Sequence, residues 1–293
     1  MKSSFLFCFI VCCIQGIAQQ HPLQTNAAAA LIAAENNFAA TAADKSFKEA
    51  FLENLDSSGI VFNAGKPVNG NTFYSGLPNN DLLFKWYPVQ SAINAGGDMG
   101  FTAGPYILLS RPNLDTLAAG NYFSVWRRNA EGTFKVLLDG GVTHTSKTLA
   151  ASYGSLPMAN ADSALYTMPL KQQPANATIA DKAFTQEAAK QLPAAYAKAI
   201  SSHCLIIRSN LPMALDIAAN RATITKQFLP RCSFSNKGSF YAADKSWFFT
   251  YGTASATGKA GKLQQGYFVH VWQYQPNGWK LLADVLQWNN PGL

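Results

Sequence analysis

The chain of 293 residues spells one aromatic hairpin twice. Gly120 to Asp139 reads GNYFSVWRRNAEGTFKVLLD, and Gly266 to Asp284 reads GYFVHVWQYQPNGWKLLAD. In each, a turn pair (Glu131-Gly132, Asn277-Gly278) precedes the second strand, between runs of alternating apolar residues. The correspondence extends upstream. Phe51 aligns with Tyr196, Leu55 with Ile200, Gly59 with Cys204 and Val61 with Ile206, while Phe101–Gly104 aligns with Phe249–Gly252. Every landmark recurs after 145 to 148 positions, the mark of a duplicated unit.

Each unit opens with helix formers. In the first, Leu31, Ile32, Glu35 and Phe38 fall at helical spacing with Asn26 placed to cap the start. Asp44 is placed to cap a second helix carrying Phe47, Phe51 and Leu55, and Asp56-Ser57-Ser58-Gly59 reads as the turn into a short strand. Long antiparallel strands follow. Helices first and strands after predict an α+β fold, with helices covering one face of a curved sheet. The predicted layout is a first unit over 19–145, a linker or extended arm over 146–176 and a more divergent second unit over 177–293. Within the hairpins, Tyr122, Ser124 and Trp126 share one face and Phe123, Val125 and Arg127 the other. Phe268, His270 and Trp272 likewise lie opposite Tyr267, Val269 and Val271. Apolar groups on both faces require cover on both. The helices supply one cover, and the sheet of the sister unit supplies the other, giving an internal pseudo-dimer packed sheet to sheet.

Composition narrows the setting. Residues 1–18 hold one basic residue, Lys2, an apolar run from Phe5 to Cys13 and small residues at Gly16 and Ala18. They read as a cleaved secretory signal, so the chain is expected to be secreted or periplasmic, without a lipid anchor. The apolar run is too short for a membrane span. Removing the signal leaves two of the five cysteines, Cys204 and Cys232, a pair that can bridge in an oxidising compartment. The formal charge of +7 is scattered, with no Lys/Arg run of the kind that tracks nucleic acid or a membrane surface. No His/Cys spacing suits a metal and no cofactor motif is present, so neither a metal nor a cofactor is expected.

In the first unit, E-x-x-F-A (Glu35–Ala39), A-F-L (Ala50–Leu52), D-S-S-G-I-V-F (Asp56–Phe62), K-W-Y-P (Lys85–Pro88), G-D-M-G-F-T-A-G (Gly97–Gly104) and V-W-R-R…G-T-F-K-V-L-L-D (Val125–Asp139) occur in order. This series resembles the nuclear transport factor 2-like superfamily, in particular its SnoaL-like, ketosteroid-isomerase-like branch, domain of unknown function 4440. The second unit keeps A-Y-A (Ala195–Ala197), F-T-Y-G and G-W-K-L-L-A-D, but lacks K-W-Y-P and carries Lys245-Ser246 near the place of Asp98-Met99. The resemblance implies a bent sheet wrapped around helices as a cone with a pocket at its open end. Relatives of this kind act as isomerases, cyclases, dehydratases or hydrolases, or only bind ligands or proteins, so the fold leaves function open.

Several residues are candidates for that pocket. Asp56 stands roughly where isomerase-type relatives place a base, but an aspartate in such a turn also bonds neighbouring backbone N–H groups. Asp139 and its counterpart Asp284 suit a pocket acid or a structural pair equally. Asp56 and Asp139 are therefore the catalytic candidates. Trp86, Tyr106, Tyr122, Trp126, His270 and Asp284 are the ligand-binding candidates, with core packing as the competing role of each aromatic. Three functions follow: an exported binder of a small, apolar molecule, an enzyme working in the first unit, or a protein-interaction scaffold with filled cones.

Overall fold

The computed structural model describes residues 22–78, 80–145, 154–166, 170, 174–213, 217–227, 229–258 and 261–289. The signal at 1–18 and much of the arm at 146–176 lie outside the described residues. The first unit comprises α1 (Pro22–Asp44), α2 (Phe47–Asn54), β1 (Leu55–Asn63), β2 (Lys66–Asn69), α3 (Gly70–Ser75), β3 (Leu82–Trp86), β4 (Gln90–Ile93), β5 (Met99–Ser110), β6 (Thr116–Arg128) and β7 (Phe134–Thr143). A short 3-10 turn (Ala161–Ser163) and β8 (Leu165–Tyr166) follow. The second unit comprises α4 (Ala177–Ala188), α5 (Leu192–Ala199), β9 (Ile200–Arg208), α6 (Ile217–Gln227), β10 (Ser233–Tyr241), β11 (Trp247–Thr257), β12 (Leu263–Gln275) and β13 (Gly278–Trp288). Among the described residues no helix is long and apolar enough to cross a membrane.

The duplication is visible element by element. α2 and α5 have eight residues each, β1 and β9 nine each. In both units this helix runs straight into a strand that pairs in parallel with the last strand of the hairpin, β1 with β7 and β9 with β13. The remaining long strands pair antiparallel, β5-β6-β7 in one unit and β11-β12-β13 in the other. Neither sheet closes into a barrel: the strand orders run β2-β1-β7-β6-β5-β4-β8 and β10-β11-β12-β13-β9. The two edges differ for a legible reason. Pro88 has no N–H to give to a ladder and ends β3 after Trp86, so β5 is paired by two short strands. The second unit has no such proline there and runs β10 through with one bulge between Asn236 and Gly238. Part of the arm joins the first sheet, with β8 parallel to β4.

Three local expectations are corrected. α1 begins at Pro22, which is tolerated in a first helical turn, so Asn26 lies inside the helix. Ser46, not Asp44, caps α2: its Oγ accepts from Glu49 N at 3.1 Å and donates to Glu49 Oε2 at 2.9 Å. Asp56–Gly59 belongs to β1, and the irregularity sits in its pairing with β7 between Leu55 and Ile60.

Three apolar clusters divide the interior. One fills the first cone, with α1 and α2 (Leu31, Phe38, Phe51) against Trp86, Tyr122, Trp126 and Val136. Another fills the second cone, with Phe184 and Tyr196 against Phe248, Phe268 and Trp272. The third joins the sheets: Met99, Phe101, Phe123, Val125 and Leu138 meet Leu205, Ile207, Trp247, Phe249, Val269 and Val271. The alternation in the hairpins therefore places one face inward and one between the units. Corresponding groups exchange bonds across this junction. Asp98 Oδ2 accepts from Ala243 N at 3.1 Å, and Asp244 Oδ2 accepts from Gly96 N at 2.9 Å. Such reciprocity belongs to a two-fold, self-complementary interface, built here within one chain.

Candidate functional site

The first cone opens into a cavity of about 510 Å³. Phe38, Phe51, Tyr74, Phe84, Trp86, Tyr106 and Tyr122 form its aromatic walls, and Asp139, Thr143 and Gln287 bring polar groups to it. The rings are locked against one another. Phe38 meets Trp86 edge-on with centroids 4.8 Å apart, and Phe51 stacks on Tyr74 at 4.1 Å. The second unit contributes to the same cavity: Tyr267 stacks on Phe62 at 3.8 Å and exchanges two hydrogen bonds with the Gly141 backbone.

Behind the aromatic wall lies a carboxylate that the sequence reading placed only on a helix. Glu35 has no solvent exposure and accepts from Trp86 Nε1 at 2.5 Å, from Trp126 Nε1 at 3.0 Å and from the Thr102 hydroxyl. Burial pushes its carboxyl up to about 7, against the pull of the Thr102, Trp86 and Trp126 bonds. The second unit repeats the arrangement with a shorter acid: Asp181 Oδ1 accepts from Thr250 Oγ1 at 2.9 Å and Trp272 Nε1 at 3.0 Å. In both units a helix acid, a strand threonine and a strand tryptophan tie the helix to the sheet. The available signal was a lone carboxylate within an apolar helical stripe, since a buried acid must be paired.

Asp139 is half-buried on the cavity wall and accepts from Ser124 Oγ at 2.7 Å. Burial pushes its carboxyl up to about 8, the Ser124 bond opposes this and Glu35 adds to it. A carboxyl raised this far exchanges its proton near neutral pH and can both donate and accept. Tyr122 is 5% exposed, and its hydroxyl makes no hydrogen bond of good geometry. Burial first, then the charge of Glu35, keeps that phenol protonated. Tyr106 pairs its hydroxyl with Thr143 Oγ1 at 2.8 Å. The cavity thus offers the Asp139 carboxyl on aromatic walls, with the Tyr122 hydroxyl buried behind them near Glu35.

The other candidates fall elsewhere. Asp56 does not line the cavity: one oxygen accepts from the Ser58 N–H and hydroxyl, and the other pairs with Arg127 at 2.8 Å. Burial raises its carboxyl, but Ser58 and Arg127 together hold it below the usual range. Trp126 is fully buried and spent on Glu35 and Thr102. His270 and Asp284, predicted to bind ligand, have no solvent exposure and sit in a filled second cone. Arg208 fills it, giving hydrogen bonds to Asp284 Oδ2 at 2.6 Å, to the Asp284 carbonyl and to the Tyr196 hydroxyl. The guanidinium overcomes burial and holds Asp284 below the usual range, with His270 helping. Phe184, Phe234 and Phe268 pack around His270. Cys204 and Cys232 do not bridge; both are free thiols in this core. Burial pushes Cys232 up to about 12 and Cys204 well above the thiol range, so neither readily forms the thiolate that disulfide chemistry needs.

No family model matches the sequence, and no curated protein matches it. Solved structures do. They are nuclear transport factor 2-like proteins of cystatin-like fold. An NTF-2 like protein of unknown function from Shewanella oneidensis MR-1 is 13% identical over 38% of this chain and 95% of its own, with a TM-score of 0.32. A protein of unknown function with a cystatin-like fold from Nostoc punctiforme PCC 73102 is 9% identical over 40% of this chain and 90% of its own, with a TM-score of 0.32. An NTF2-like protein with a cystatin-like fold from Novosphingobium aromaticivorans DSM is 12% identical over 38% of this chain and 77% of its own, with a TM-score of 0.30.

Proposed function

We propose that this protein is an exported binder of a small, largely apolar molecule carrying a hydrogen-bond acceptor such as a carbonyl. The observation that carries this reading is the open aromatic cavity of the first cone, with the Asp139 carboxyl on its wall. Apolar walls with a few convergent polar groups are the usual make-up of a small-molecule site. The Asp139 carboxyl, pushed up to about 8 by burial, can give its proton to an acceptor oxygen of the occupant. Neither Glu35, behind the tryptophans, nor Asp56, bound to Arg127, reaches the cavity as a base. The filled second cone serves as a structural partner that completes the cavity wall through Tyr267 and Gln287.

Mass spectrometry of ligand carried by natively purified protein tests the site. Trp86→Ala and Asp139→Ala are each expected to lower retention by roughly tenfold or more, the loss of one wall or of the cavity's carboxyl. Unchanged retention in both would sink the assignment. Export is tested by sequencing the N-terminus of protein recovered from the medium or periplasm. The expected mature chain begins at Gln19; an intact Met1 in the cytoplasm would refute export.

A further inference from the structure

A second cavity, of about 770 Å³, lies outside both cones where the β1–β2 hairpin of the first unit overhangs the sheet of the second. We infer that this cleft is a binding site for an acidic, hydroxyl-rich ligand, a sugar acid or a short chain of them. Strand register explains how it arises. In β11, Trp247, Phe249 and Tyr251 share the face buried against the first unit, and Thr253 and Ser255 continue that face beyond the end of the covering sheet. Ser235 lies opposite Thr253, Ser233 opposite Ser255, and Gln265 opposite Ser255 on the other side. The junction face thus passes from aromatic to hydroxyl and amide within one strand, so it is not an apolar interface left uncovered.

The polar side of the lining fits one chemistry, beside an apolar side formed by Ile60, Pro67, Val68 and Tyr251. Ser233, Ser235, Thr253, Ser255 and Gln265 border the cleft, and among the described residues none of their side chains makes a hydrogen bond within the protein. Hydroxyls and amides both donate and accept, which matches the mixed demand of sugar hydroxyls. Lys66 from the overhanging hairpin and Lys237 from the β10 bulge add two ammonium groups, and neither has an acidic partner among the described residues. Among the described residues no Asp or Glu lines the cleft. A concavity with one sign of charge attracts the opposite sign, so the ligand carries carboxylates as well as hydroxyls. The hairpin is fixed in place by its left-handed turn at Ala64 and Gly65 (φ 48° and 76°). Gly65 takes the left-handed conformation that glycine adopts without strain.

Calorimetric titration of the full chain with trigalacturonate, a neutral trisaccharide and inorganic tripolyphosphate tests this. Trigalacturonate is expected to bind and the neutral sugar to bind at least about tenfold more weakly, with affinity falling as salt rises. Lys66→Gln with Lys237→Gln is expected to weaken trigalacturonate about tenfold. Thr253→Val with Ser255→Ala is expected to do the same while leaving tripolyphosphate unaffected. Trp86→Ala, in the other cavity, is expected to change nothing here. Absence of trigalacturonate binding overturns the proposal. So does tripolyphosphate binding as tightly as trigalacturonate with indifference to the hydroxyl variant, which reduces the cleft to a patch of two lysines.

Discussion

Glu35 and Asp139 carry the electrostatics of the first unit, and burial raises both, to about 7 and about 8. The sign of the consequence is fixed. A carboxyl whose folded pKa lies above its unfolded value stabilises the fold fully below the unfolded pKa, near 4, and loses that contribution as pH rises through the folded value. Stability is therefore expected to fall between pH 5 and 8, through about 7 for Glu35 and about 8 for Asp139. For Glu35 the pH-dependent part is on the order of 3 kcal/mol. Glu35→Gln is expected to flatten this slope in denaturant melts, at a cost of about 1 kcal/mol at pH 5 from one lost tryptophan acceptor. A slope of unchanged steepness would show that Glu35 is ionised in the fold. The second unit behaves oppositely, since Asp181 and Asp284 are both held below the usual range and weaken the fold only as pH falls into the acid range. This difference was not legible in the sequence. Asp139 and Asp284 close matching strands, and only the Arg208 guanidinium, 76 positions from its partner, turns one into a buried ion and leaves the other an acid.

At the scale of elements, the hairpins and the α2–β1 and α5–β9 junctions were readable because alternation and period are local properties of the chain. The cap of α2 and the β1 irregularity were misplaced by two or three residues, since several polar residues stand near each boundary and geometry selects among them. The curvature of the sheets was expected from the order of elements and the family resemblance, and the sequence also marks where it falls. Gly120 and Gly266 occupy the same place in the two copies, and a Cβ on either comes within 1.9 Å of a carbonyl on the neighbouring strand, Val142 O or Gln287 O. The chains approach so closely there that only glycine fits. Gly120→Ala and Gly266→Ala are each expected to destabilise by roughly 2 kcal/mol or more, as overpacking forces the strands apart. Thermal melts equal to the unsubstituted protein would place the bend elsewhere.

For the whole molecule, duplication has produced two units with one shared face and two fates. The first keeps an open cavity. The second fills its own with Arg208, His270 and Phe234 and lends Tyr267 and Gln287 to its sister. The face-to-face packing was legible because the hairpins carry large apolar residues at both parities. The division of labour was not, because it depends on which interior groups pair. The packed faces contribute gross burial of about 1.5–3 kcal/mol for each large side chain, which no isolated unit retains. The most direct measurement is sedimentation of residues 19–166 expressed alone, with binding of an apolar dye. Self-association or strong dye binding is expected, as the face bearing Phe101, Phe123 and Val125 seeks cover. A stable monomer that leaves the dye unbound would contradict the account.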